Sequence, residues 1–335
     1  MPDAAQSPEL PVRPPPDFAI ALRRPRAGLP WLPWPPRRTW RAVVVTLAVF
    51  VVFAWGLAPA ARAVTLLANW RGRGAPTVAP TGLRVTTVRF AASDGVPLAG
   101  WLAIATPAAP TIILVHGSKG SRADMLPYAR FLYAAGYNVL LYDSRGCGAS
   151  GGWGISDGVR EPDDVIGAVR YLAARSDLTV KRYGVLGISL GAGTAILAAA
   201  REPRLAAVVA DSAWPDQEVQ IARMGSVSVG PVTLPVVLYE LALVDALIGG
   251  RLEDARPLAA IPRLAPRAVL LIHAADDRNP TTPLAGERAL YAAARAPKAQ
   301  WIAPSGGHVG ALGAHATDYK RQVLAFFAMY LRPGA

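Results

Sequence analysis

Ser189 sits in Gly187-Ile-Ser189-Leu-Gly191, between an apolar stretch and a run rich in Ala, Leu and Ile. Tyr183 to Ile188 reads as a short strand, and Leu190 to Ala200 as a helix. A strand that turns straight into a helix forces its corner residue into strained backbone, and glycines two before and two after relieve the crowding. The hydroxyl is then exposed at a helix start, where it could act as a nucleophile. In a chain with 31 glycines the five-residue pattern alone is weak. The flanking strand and helix supply the specificity. The same glycines lack G-x-G-x-x-G spacing, and no phosphate-binding G-x-x-x-x-G-K-[ST] occurs.

A serine hydroxyl is a poor nucleophile at neutral pH. It needs a base, a group orienting that base, and donors for the oxyanion that develops. His308, in the glycine-rich Pro304-Ser-Gly-Gly-His-Val-Gly310 after the last expected strand, is the candidate base. Asp276 and Asp277, just beyond an expected strand at 268–273, both stand where an acid would reach the same rim of a sheet. The order Ser, Asp, His differs from both common protease orders. Leu190 N–H at the helix start and Ser118 N–H after strand 111–115 are the expected oxyanion donors, each worth about 3 kcal/mol to a transition state. His116 is expected to fix the Ser118 loop. Cys147 alone permits no intramolecular disulfide, and His116, His273, His308 and His315 lack metal-ligand spacing, so no metal and no cofactor is expected.

Positioning these groups takes a sheet with its strand ends on one rim. From Leu83 onward short strands (85–90, 98–104, 111–115, 138–142, 183–188, 206–210, 268–273, 299–303) alternate with helices (123–135, 163–174, 190–200, 319–331). That alternation predicts an α/β fold with a mainly parallel twisted sheet flanked by helices. Ser93-Asp94-Gly95 reads as a hairpin turn. Residues 212–256 break the rhythm and read as a short helical lid inserted over a pocket, with core packing of a long connection as the other reading.

Ahead of this domain the composition changes. Residues 1–41 form a Pro/Arg-rich tail with eleven prolines by position 36 and seven Arg against Asp3, Glu9 and Asp17, and are expected to be disordered. Ala42 to Ala61 carries no charge, and its roughly twenty residues match a bilayer core. Trp31, Trp34 and Trp40 with Arg37, Arg38 and Arg41 have the composition of a membrane interface. The stretch reads as an uncleaved transmembrane signal anchor, with a cleaved signal peptide as the alternative. The Arg excess before it places the N-terminus in the cytoplasm and the domain outside the cell membrane. Residues 62–82 read as a linker and 83–335 as the folded domain. Net charge is +12, but with no basic helix or aromatic platform the expected partners are the bilayer and a small acyl substrate, not nucleic acid. Oligomeric state is not legible.

Several segments together resemble the α/β-hydrolase superfamily, in particular its small bacterial esterases and serine aminopeptidase-like members. They are Ser93 to Trp101, His116-Gly117, Tyr142-Asp-Ser-Arg-Gly-Cys-Gly-Ala-Ser150, the serine turn and Gly307-His308. The resemblance covers residues 83–333. It implies a Ser189-His308-acid triad with Leu190 and Ser118 as oxyanion pair, acting on carboxylic esters through an acyl-enzyme. A peptidase or thioesterase would use the same groups, and a non-catalytic anchored module is the reading from another class. The segment His273-Ala-Ala-Asp-Asp-Arg-Asn-Pro280 is one residue shorter than the family pattern. Counting from the strand selects Asp277, and counting back from Pro280 selects Asp276. The strand fixes the geometry, so Asp277 is the expected acid.

Overall fold

The computed structural model describes residues 37–68, 82–217, 226–229, 232–235 and 237–331. The tail at 1–36, most of the 62–82 linker and residues 218–225 of the expected lid lie outside them. The chain divides into two units, Met1–Val49 and Phe50–Ala335.

Helix α1 (Arg37–Val52) buries none of its residues. It is followed by a π-helical turn at Phe53–Leu57 and by α2 (Ala58–Leu67). The run Ala42–Ala61, expected as one transmembrane helix, is thus divided among three helical elements. Among the described residues no helix is long and apolar enough to cross a membrane. Pro59 accounts for the interruption, because proline has no backbone N–H to donate to a carbonyl four residues back.

The second unit is built on one eight-stranded sheet. In chain order come β1 (Thr86–Ala91), β2 (Pro97–Ala103), β3 (Thr111–Val115), α3 (Leu126–Ala134), β4 (Asn138–Tyr142), α4 (Glu161–Ala174), β5 (Tyr183–Ile188), α5 (Leu190–Ala199) and β6 (Leu205–Asp211). A separate antiparallel pair follows, β7 (Ser226–Val229) with β8 (Val232–Pro235), then α6 (Val237–Ile248). The chain ends with β9 (Ala268–Ala274), α7 (Leu284–Ala293), β10 (Lys298–Ala303) and α8 (Ala316–Leu331). The strands lie in the order β1-β2-β4-β3-β5-β6-β9-β10. From β4 to β10 all pairs are parallel, whereas β2 pairs antiparallel with both of its neighbours, β1 and β4. The turn between β1 and β2 falls at Ser93-Asp94-Gly95, with Gly95 at φ 94°.

Both faces of the sheet are covered, which is why its central strands are apolar without alternation. Ile113, Val185 and Val208 face α4 and α5 in one core, whereas Ile112, Leu186 and Val209 face α3 and α8 in the other. Helix α5 is buried along its whole length. The loop after β4 is held by buried charge. Arg145 reaches Asp94 at 2.8 Å and Asp164 at 2.7 Å, so one guanidinium joins the β1–β2 turn, this loop and α4. Arg122 pairs with Asp143 at 3.1 Å, and Asp143 also accepts from Ala149 N–H at 2.9 Å. Buried pairs of this kind specify one arrangement more than they add stability.

The junction of β5 and α5 is the tightest place in the sheet. A Cβ on Gly187 would stand 2.0 Å from the Gly191 carbonyl oxygen, and one on Gly191 would stand 2.3 Å from that of Val115. These are backbone atoms, so the turn itself would have to move. Gly187→Ala is therefore expected to destabilise the protein by about 2 kcal/mol or more, a fall in Tm of roughly 4–8 °C by thermal denaturation. An unchanged Tm would mean that the turn is not closed on itself in this way.

Candidate active site

Ser189 occupies the corner between β5 and α5 at φ 52°, ψ −118°, a region that costs a non-glycine residue about 1–3 kcal/mol. Its N–H donates to the Asp211 carbonyl at 2.9 Å, and its own carbonyl accepts from Ala192 N–H at 2.9 Å. These bonds on both sides hold the corner in place.

The loop after β10 brings His308 over the serine. Gly306 and Gly307 take positive φ of 140° and 64°, and Val309 follows at 59°. The loop is tied down twice. Gly307 N–H donates to Asp276 Oδ1 at 2.8 Å, and Val309 N–H donates to Ser212 Oγ at 3.3 Å. His308 Nε2 then lies 2.9 Å from Ser189 Oγ, and His308 Nδ1 lies 2.9 Å from Asp277 Oδ2. The network assigns the tautomer: Nδ1–H donates to the carboxylate, leaving Nε2 to accept from the serine hydroxyl. The Asp277 side chain has no exposed surface, whereas the imidazole is 29% exposed.

Three of the expected site residues are thus brought into one hydrogen-bonded line. Of the two aspartates, Asp277 contacts the imidazole and Asp276 the loop that carries it. The Gly307 N–H holds the Asp276 carboxyl below its ordinary value. Asp277 also accepts from Asn279 N–H at 2.8 Å. His273 Nε2 is 3.5 Å from Asp277 Oδ2, too far for a good bond, and burial pushes the pKa of this imidazole down.

The expected oxyanion donors border the serine. Leu190 is the first residue of α5, where a backbone N–H has no partner within the helix. The Gly117–Gly120 loop passes close by, since a Cβ on Gly117 would be 3.4 Å from that of Ser189. Ser118 follows in that loop. Its base is held by the buried His116, whose Nε2 accepts from Ser144 N–H at 3.0 Å. Among the described residues no group of three His, Cys, Asp or Glu side chains could hold a metal ion.

Residues that sequence reasoning missed stand behind this line. Thr282 Oγ1 is 3.3 Å from Asp277 Oδ2 and 3.1 Å from His308 Nδ1. Ser212, at φ 57°, accepts from the base loop while its hydroxyl bonds Asp211 at 3.0 Å. Tyr319 OH in α8 donates to Asp211 Oδ2 at 2.9 Å. Burial pushes the Asp211 carboxyl up to about 6. No spacing signal marks these residues. Only the position of Asp211 at the end of β6, on the same rim, could have pointed to them.

Set beside known proteins, the chain matches the model of the X-Pro dipeptidyl-peptidase (S15) family over residues 64–310, well over half its length. It is 29% identical over 265 residues to the uncharacterized protein YfhR of Salmonella typhimurium, covering 74% of this chain and 82% of that one. It is 30% identical over 221 residues to the uncharacterized protein YqkD of Bacillus subtilis, covering 64% and 70%. Among solved structures, the Pyrococcus furiosus esterase Pf2001 superposes with a TM-score of 0.61 at 23% identity, over 77% of this chain and 99% of that one. Est1E of Butyrivibrio proteoclasticus, solved with ferulic acid bound, superposes with a TM-score of 0.54 at 18% identity, over 72% and 100%. At those identities the structural likeness establishes the fold. With the S15 match it agrees with the α/β-hydrolase resemblance read from the motifs: the chain is a serine hydrolase and belongs to the X-Pro dipeptidyl-peptidase (S15) family.

Proposed function

We propose that the protein hydrolyses carboxylic esters through an acyl-enzyme on Ser189. The observation that carries this reading is the line of contacts from Ser189 Oγ to His308 Nε2 and from His308 Nδ1 to Asp277, each 2.9 Å long. In the first half-reaction Ser189 Oγ attacks the carbonyl carbon while His308 removes its proton. The oxyanion is met by the N–H groups of Leu190 and Ser118. His308 then protonates the leaving alcohol as the ester bond breaks. Water, deprotonated by the same imidazole, releases the acid and restores the serine. Asp277 holds the tautomer and stabilises the imidazolium without taking the proton.

A second reading, hydrolysis of a peptide amide, is favoured by one observation, the S15 family match itself. The triad serves either bond. A panel of p-nitrophenyl esters, thioesters and Xaa-Pro amides separates them, with the highest kcat/KM expected on an ester. Faster turnover of the amides would give the protein the peptidase role.

Two substitutions test the roles directly. Ser189→Ala is expected to lower kcat by roughly 10⁴–10⁶-fold, and unchanged turnover would place the nucleophile elsewhere. Asp277→Asn is expected to lose about 10⁴-fold by favouring the wrong tautomer. Asp276→Asn keeps an amide oxygen for Gly307 N–H and is expected to lose less than about tenfold. Equal losses at the two positions would remove the distinction between them.

Attachment to a membrane belongs to the same proposal, with the N-terminus cytoplasmic and the catalytic domain outside. It is supported by the uncharged run from Ala42 to Ala61 and by the exposure of Val43, Val44, Leu47, Phe50 and Phe53 along it. Helical structure also continues from Arg37 to Leu67 through the π turn. Protease added to intact cells is expected to digest the catalytic domain. Complete protection would reverse the orientation.

A further inference from the structure

Helix α2 is built into the catalytic domain, at its rim. Leu67 is fully buried, and its carbonyl accepts from Ile155 N–H at 3.0 Å. Ala68 bridges Gly154 in antiparallel fashion, and a Cβ on Gly154 would stand 2.5 Å from the Leu67 oxygen. Glycine is what allows the helix end to come this close. Along α2, Ala63 and Leu67 pack with Val244 of α6 and with Leu252, all buried. Helix α6 lies in the insertion that breaks the sheet, and α2 is one of the surfaces it rests on.

A third contact leads toward the reacting atoms. Lys119 Nζ donates to the Thr65 carbonyl at 3.2 Å. Thr65 belongs to the last turn of α2, where carbonyls lack helical partners and a cation is favoured. Lys119 is the residue after Ser118, in the turn closed by Gly120 N–H to the Gly117 carbonyl at 3.2 Å. Its φ is 57°, a conformation for which glycine or asparagine is ordinarily used. A lysine there bears backbone strain, and what it adds over glycine is an ammonium group that reaches α2. The same ammonium acts electrostatically on the largely buried Asp157, which is flanked by the loop that receives Leu67.

We infer that α2 is a working part of the active site: through Lys119 it holds the oxyanion loop, and through Ala63 and Leu67 it seats the insertion helix. Lys119 is a positioning residue, acting through Ser118. Force or lipid contact on the stretch ahead of α2 would then be felt at the oxyanion hole. The inference rests on the serine-hydrolase reading for its kinetic consequence, but the latch is also visible without turnover.

The test uses the full chain. Lys119→Met and Lys119→Gly are compared with Lys119→Arg by ester kinetics and by backbone amide exchange. With the latch lost, kcat is expected to fall about three- to tenfold at nearly constant KM in both Met and Gly variants, and to recover with Arg. Exchange is expected to rise both at 117–121 and at 64–68. Because Lys119 is exposed, folding is not at risk. Ala63→Asp, which loosens α2 from α6, should add little to Lys119→Met if both act through the same docking. A Gly variant with full kcat would show that only backbone conformation matters and would overturn the inference. So would exchange that rises in the loop alone. Absence of any Ser189-dependent turnover in the unaltered protein would remove the hydrolase reading, while the exchange pattern would still decide the latch.

Discussion

The left-handed corner at Ser189 is the constraint on which the rest of the structure depends. A side chain at φ 52° is unfavourable, and it persists because the surroundings leave no alternative. The Asp211 carbonyl takes the serine N–H, and α5 begins at the next residue. Gly187 and Gly191 let β3, β5 and α5 close on one another more tightly than any Cβ would permit. The outcome is a hydroxyl raised above the carboxyl end of a parallel sheet, where neighbouring strand ends deliver their loops to the same place.

Three of those loops serve the serine, and each is secured by a different polar contact. The β3 loop is held through His116 and Ser144. The β9 loop carries Asp277, closed locally by Asn279 N–H and Thr282. The β10 loop carries His308 and is fixed from both sides, by Asp276 and by Ser212. Ser212 in turn leans on Asp211, and Asp211 on Tyr319 from the last helix. The C-terminal helix is therefore linked by a chain of hydrogen bonds to the backbone of the loop that carries the imidazole, at Val309. Such a chain has value only when every member is satisfied, and that condition makes it rigid.

Much of this could be read from residue types. The strands buried on both faces announced themselves as unbroken apolar runs, and β3, β4 and β5 begin and end where the pattern placed them. The serine turn was legible because glycine spacing, a strand and a helix all had to coincide. The two aspartates after β9 posed a register question that counting from the strand and from Pro280 answered differently. Asp277 lies against His308 because the turn after Ala274 is short and Asn279 N–H donates to its carboxylate. Thr282, Ser212 and Tyr319 were invisible. Their spacing to the partners they bond is set by tertiary packing and follows no local period. The apolar stretch at 42–61 looks like one helix in the sequence because hydropathy does not register the N–H that Pro59 lacks. The docking of α2 on the rim was likewise hidden, since Leu67 and Gly154 meet across a wide gap in sequence.

The central claim is that His308 makes Ser189 a nucleophile. Mass mapping of adducts after treatment with a fluorophosphonate tests this most directly, because phosphonylation requires the activated oxygen and no particular substrate. A single adduct on Ser189 in the unaltered protein, lost when His308 is replaced by Ala, is the expected result. Modification of another residue, or equal modification of Ser189 without the imidazole, would contradict it.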